Sequence, residues 1–318
     1  MLQSLDDGLG FDDVFVDWVV ANYLNDPNIE DGRYGYQNLK PPLFSIEADF
    51  SVQDLPVELL ASVGQYATDY IAYHGQGRLQ VEFSGATLAG LAPIPVHSGE
   101  YVWWGGRGTN SDTTLTREFD LTGLDQASLT FHTWYDIEED YDYAYVEVSM
   151  DGEHWMTLPG QTTTHDDPNG VNFGNGFTGV SDGWIQEKID LTPYVGQQVQ
   201  IRFEYLTDDG PVHAGFFLDD IEIPELNYHD DAESSKGGWA AHGFTRNTMV
   251  IPQEWLVQLI VQRDDQTTVE QLQLQPDNTG RWMVNLDLEE TAILAVSGRT
   301  RVTTEAAGYW YRITKNDP

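Results

Sequence analysis

His74, His97, His132, His154, His165, His213, His229 and His242 are the side chains best placed to move protons or bind metals near neutral pH. Zinc proteolysis asks for two helical histidines four apart, with a glutamate beside them as general base. No two of these histidines stand four apart, so the chain has no His-Glu-x-x-His. Cysteine is absent, which removes thiol nucleophiles and thiolate metal sites. A Ser-His-Asp site is compatible with the composition, but no Gly-x-Ser-x-Gly elbow is expected to support one. No catalytic residue and no zinc are therefore expected in this chain.

The carboxylates carry a stronger case. Calcium takes about six to eight hard oxygen ligands. In the run Phe217 to Ile223, strict alternation puts Asp219 on the same face as Ile221 and Ile223. In Asp142 to Val148 it puts Asp142 with Ala144, Val146 and Val148. If the apolar partners face a core, so do the two aspartates, and a buried charge must be paired or metal-bound. The expected ligands are Asp219 and Asp142, helped by Asp220 or by Asp136 and Asp140 of an acidic corner. The competing reading is that both aspartates accept hydrogen bonds and tie down loops. Asp166-Asp167-Pro168-Asn169-Gly170 invites comparison with an EF-hand loop. With Gly170 in the sixth position, His165 falls first and Gly176 twelfth, where acids are required. Trp103, Trp104, Tyr141, Tyr143 and Tyr145 could form a sugar platform or could be packing between sheets.

Composition limits the partners. Among 318 residues, 52 acidic and 15 basic side chains give a net charge of −37. Such a chain lacks the basic footprint that phosphates require, so no nucleic acid is expected. No apolar run approaches the ~20 residues of a membrane helix, so no membrane span is expected. No signal peptide opens the chain. If the protein is secreted, its signal lies upstream.

The elements that must hold these residues are mostly strands. Leu115–Leu121, Ser128–Asp136 and Tyr143–Ser149 are period-two runs rich in β-branched and aromatic residues. Asp151-Gly152 suits the positive φ of a tight hairpin turn. Val199–Tyr205 and Gly215–Ile223 complete one antiparallel β-sandwich over 93–225. Its longest irregular stretch, 159–183, is of a length that is usually functional or mobile. Ahead of it, Phe11, Val14, Phe15, Trp18, Val19 and Tyr23 recur at helical spacing, and Asn25-Asp26-Pro27 stops the helix. Residues 1–44 thus read as a helical stub and linker. Two strands within 45–92 are too few to stand alone. Strands over 226–318 offer them a second sandwich, with Leu79–Phe83 pairing into 255–314 and the central block inserted between its halves.

Thr133-Trp134-Tyr135-Asp136-Ile137-Glu138-Glu139-Asp140, Tyr143–Ser149, Gly183-Trp184 and Phe217-Leu218-Asp219-Asp220-Ile221 resemble the region downstream of the catalytic domain in immune inhibitor A-type metallopeptidases. The Leu-Asp-Asp-Ile ending also resembles MAM-type jelly rolls, which often carry calcium. The resemblance spans about 98–224. It implies a mainly β chain, a MAM-like jelly roll plus a second β-sandwich. It implies the non-catalytic C-terminal region of a secreted, extracellular bacterial protease, with an upstream peptidase domain as partner. Such a region would stabilise the protease or bind a protein or glycan substrate. The alternative is a free-standing carbohydrate-binding or adhesion module.

Overall fold

A computed structural model describes residues 10–36, 44–234, 237–263 and 266–316. It is mainly β and divides into two compact units. One comprises the described residues of Met1–Gly90 and Ile251–Pro318, and the other is Leu91–Val250. The Gln37 and Pro41-Pro42 linker and part of the polar segment 230–238 lie outside the described residues.

Leu91–Val250 is a sandwich of two antiparallel sheets. One runs Met156–Thr157, Tyr143–Ser149, Gln198–Leu206, Asp112–Asp120, Ala240–His242, with Gly176–Phe177 also against Tyr143–Ser149. The other runs Ile185–Asp190, Ser128–Asp136, Gly215–Ile223, Tyr101–Trp104, Thr245–Thr248, with Tyr228–Asp230 against Gly215–Ile223. Alternate residues of both sheets meet in one core. Leu115 and Phe119, Leu129 and Phe131, Ala144, Val146 and Val148, and Val199, Ile201 and Phe203 are all buried there. This is the arrangement that period-two patterning demands when two half-buried sheets share their apolar faces.

Two expectations need correction here. The sandwich does not end at 225, because Tyr228–Asp230, Ala240–His242 and Thr245–Thr248 all ladder onto its sheets. These strands are short and polar, so their alternation is weak. The stretch 159–183 is not free of structure either. Gly176–Phe177 pairs with Tyr143–Ser149, Phe177 is wholly buried, and Thr164 and Gly176 exchange backbone hydrogen bonds.

The other unit has a five-stranded sheet, Ala48–Ser51, Thr68–His74, Thr291–Gly298, Trp255–Gln262, Thr267–Gln271, and a four-stranded one, Val57–Val63, Ala307–Lys315, Gly77–Gly85, Thr279–Leu286. Leu79 to Phe83 pairs with residues of both Thr279–Leu286 and Ala307–Lys315. The middle strand Trp255–Gln262 is buried on both faces, as a strand covered on both sides must be. Trp255, Val257, Leu259 and Val261 face the core shared with the four-stranded sheet. Leu256 and Ile260 face the helix Phe11–Leu24, whose Phe15, Val19 and Val20 are buried against Tyr70, Ile293 and Ala295. Tyr70 Oη donates to Val19 O at 2.6 Å, and Gln258 Nε2 donates to Val16 O at 3.1 Å. The helix therefore docks on this unit, yet Phe11 and Trp18 stay about half exposed.

Candidate metal centre

Strand Gly215–Ile223 does not keep the alternation assumed for it. Asp219 lies opposite His132 and Glu222 opposite Thr130, so three steps on one strand match two on the other. This bulge inserts one extra residue, and Asp220 takes a φ of 46°. Phe216 and Leu218 face the core before the bulge, and Ile221 and Ile223 face it after. Asp219 therefore does not share a face with Ile221 and Ile223. It is fully buried all the same, because Ser98 covers it: Ser98 N donates to Asp219 Oδ2 at 3.1 Å, and Asp220 N to Oδ1 at 2.8 Å. Burial, opposed by the Ser98 hydrogen bond and reinforced by Asp220, pushes the Asp219 carboxyl up to about 7.

Asp142 sits just ahead of strand Tyr143–Ser149, on the core face of the opposite sheet, and is also buried. Strand Gln198–Leu206 pairs Leu206 with Tyr143, which brings the following turn beside it. Asp208 N donates to Asp142 Oδ1 at 2.9 Å. Glu138, held at the corner by Asp142 N donating to its carbonyl at 3.1 Å, completes a group. Glu138, Asp142 and Asp208 each place a carboxylate oxygen within 4.8 Å of the other two. Glu138 Oε2 is buried and has no hydrogen-bond partner. Gly210 leaves room for it, since a Cβ there would collide with the Glu138 carboxylate. Burial first, then the charges of Asp208 and Glu138, raise the Asp142 carboxyl to about 6, against the Asp208 N–H bond that lowers it. Three clustered carboxylates with an orphaned buried oxygen fit a hard divalent cation.

The expected ligand set is thus divided. Asp219 and Asp142 do not converge: Gly215 is the residue opposite Asp136, and Asp219 lies four residues further along, a rise of about 13 Å. Asp136 accepts from His213 Nδ1 at 2.8 Å instead. Asp140 shapes the corner through its backbone, its N–H donating to Thr178 Oγ1 and its carbonyl accepting from Asn169. Asp220 faces His97, His132 and His229. Glu138 and Asp208 complete the carboxylate cluster without having been expected in it. The acidic turn Thr207-Asp208-Asp209-Gly210 follows a clear strand, and pairing that strand with Tyr143–Ser149 would have found them.

Other candidates fall away. Trp103 and Trp104 are buried, their Nε1 atoms donating to Asp230 Oδ2 and Ala214 O, and Tyr143 and Tyr145 are also buried. Only Tyr141 of the proposed sugar platform is exposed. Contrary to expectation, one Gly-x-Ser-x-Gly does occur, Gly179-Val180-Ser181-Asp182-Gly183. Its serine is no nucleophile elbow. Ser181 Oγ accepts from Tyr135 N at 3.0 Å and lies on the edge of strand Ser128–Asp136, with no helix following.

A family model for the immune inhibitor A-like MAM domain matches residues 78–249. The pre-pro-metalloprotease PrtV of Vibrio cholerae is 34% identical over 163 residues, 50% of this chain and 17% of that protein. Immune inhibitor A of Bacillus thuringiensis subsp. alesti is 33% identical over 142 residues, 43% of this chain and 20% of its own length. Bacillopeptidase F of Bacillus subtilis is 29% identical over 111 residues, 35% of this chain and 7% of that protein. The match thus spans a fifth or less of each of these longer relatives.

Proposed function

Because this chain belongs to the immune inhibitor A-like family through its MAM domain, we propose that it is the non-catalytic C-terminal β region of a secreted, extracellular bacterial metallopeptidase. Its task is to stabilise an upstream peptidase domain or to hold a protein or glycan substrate near it. The observation that carries this reading is the overlap of the matched residues, 78–249, with a sandwich that forms its own unit over Leu91–Val250. Phe11 and Trp18, half exposed on a helix whose other side is buried, offer apolar surface for a neighbouring domain to cover. No helix among the described residues is long and apolar enough to cross a membrane.

Calcium is the proposed structural cofactor, and Glu138, Asp142 and Asp208 would hold it. When bound it supplies positive charge to three carboxylates that otherwise repel one another in a partly buried corner. The cation would join the corner after strand Ser128–Asp136 to the turn after Gln198–Leu206, which belong to different sheets.

Two measurements test the reading. The purified chain should cleave no protein substrate, with or without added zinc. Chelator-sensitive proteolysis that disappears on changing a single histidine would overturn it. Deleting Leu91–Val250 from the longer protease should lower its secretion yield or its affinity for substrate while leaving hydrolysis of a short peptide intact. Unchanged yield and affinity would leave the module without the proposed task.

A further inference from the structure

On the outer face of the sheet that carries Asp219, four polar side chains gather from four separate segments. His97 comes from the stretch ahead of Tyr101–Trp104, His132 from Ser128–Asp136, Asp220 from the bulge in Gly215–Ile223, and His229 from Tyr228–Asp230. We propose that His97, His132 and Asp220 bind one divalent transition-metal ion of the zinc class, with His229 as the adjacent fourth donor.

Distances carry the first part of the argument. His97 Nε2 lies 3.5 Å from Asp220 Oδ2, His132 Nδ1 lies 3.8 Å from the same oxygen, and His229 Nε2 lies 3.5 Å from Asp220 Oδ1. Bonds of about 2.0–2.1 Å around a tetrahedral zinc set its donors about 3.4 Å apart. The observed separations are already close to that edge length. His132 Nδ1 is buried and makes no hydrogen bond, so an atom built to donate or accept is left with neither role filled. Asp220 is oriented from behind by Ser98 Oγ, which donates to its Oδ1 at 3.1 Å, as outer partners orient metal-bound carboxylates.

Donor type decides the metal. Imidazole nitrogens suit zinc, copper and nickel, whereas calcium is held by oxygens alone. The site is therefore chemically distinct from the carboxylate cluster of Glu138, Asp142 and Asp208. The rings of His97 and His132 stack with centroids 3.8 Å apart at 22°. Nearly parallel rings aim their lone pairs side by side, so metal entry swings His97 off the stack. That motion is open to it, because its side chain lies at the surface, as does that of His229. Trp184, whose ring centroid is 5.7 Å from that of His97, would register the swing. An ion here departs from the expectation of no zinc, which rested only on the missing local motif.

The test uses the purified, tag-free chain, stripped with chelator and titrated with zinc chloride by calorimetry, with calcium chloride as the control. The expected result is one saturable zinc per chain, a rise in Tm, and a change in tryptophan fluorescence that calcium does not reproduce. His97→Ala and His229→Ala alter surface positions and should fold normally. His97→Ala should weaken zinc at least tenfold, and His229→Ala by a smaller factor. His132→Gln and Asp220→Asn should each weaken it at least tenfold, with folding checked by circular dichroism. Asp142→Asn should leave zinc affinity unchanged. Absence of saturable binding, or binding that survives intact in the His97→Ala, His132→Gln double variant, would overturn the proposal. Either result would leave the protease-accessory reading untouched.

Discussion

Replacing Asp142 by asparagine should make the protein more stable without calcium and abolish the stabilisation that calcium gives. Burial raises the Asp142 carboxyl to about 6, so carrying its charge in the folded state at pH 7.5 costs at most about 3 kcal/mol. Asparagine removes that cost. That figure already includes the bond from Asp208 N, which favours the charged form. The expected gain in chelator is therefore up to about 3 kcal/mol. With calcium the gap narrows. For a Kd of about 0.1 mM and about 2 mM free ion, linkage gives the wild type about 1.8 kcal/mol, which the variant forfeits. At about 2–4 °C per kcal/mol for a unit of this size, both effects are several degrees in Tm. The folded value lies above the unfolded one, so the penalty is absent below about pH 4 and grows as pH rises through 6. Thermal melts of both proteins at pH 5.5 and 7.5, in calcium and in chelator, give the full comparison. A variant less stable than wild type in chelator at pH 7.5, or a wild type indifferent to calcium, would refute the reasoning.

Arg202 binds Glu147 at 2.5 Å and Glu204 at 3.2 Å, so Arg202→Ala strands two largely buried carboxylates and should cost about 3–5 kcal/mol at pH 7.5. The loss should shrink towards pH 5.5 in urea titrations, because burial, and then Glu147, raise Glu204 to about 7 and let it protonate. Glu187, fully buried, accepts from Gln161 N and from Thr162 N and Oγ1. Glu187→Ala should release the start of the 159–183 stretch, read as new limited-proteolysis sites there with the rest of the sandwich resistant. Phe203→Ala, at the centre of the core between Phe131 and Trp239, should cost about 3–5 kcal/mol in the same urea assay.

Strand identities were legible because alternation is a local signal. Leu129 and Phe131, or Val199, Ile201 and Phe203, announce a one-sided core without any knowledge of their partners. The site was legible only where its geometry stayed local. Asp142 keeps step with Ala144, Val146 and Val148, and the structure buries it as that spacing implies. Asp219 does not keep step, because a one-residue bulge is invisible in a sequence that still reads as a good strand. Glu138 and Asp208 lie 70 residues apart and meet only through strand pairing. His97, His132, Asp220 and His229 come from four segments, which no spacing rule can join.

Thr279 pairs with Ser84 and Leu286 with Gly77 across the whole length of the intervening sandwich. As the chain emerges from a ribosome, Val57–Val63 and Gly77–Gly85 must therefore wait for their sheet partners while the whole of Leu91–Val250 is delivered. The later-made module can finish first, because every strand it needs is contiguous. Such non-local pairing is slow to close, and unpaired edges left open meanwhile are sites where chains adhere to one another. The high negative charge then acquires a kinetic role. Mutual repulsion between chains of this net charge opposes such contacts until the partners arrive.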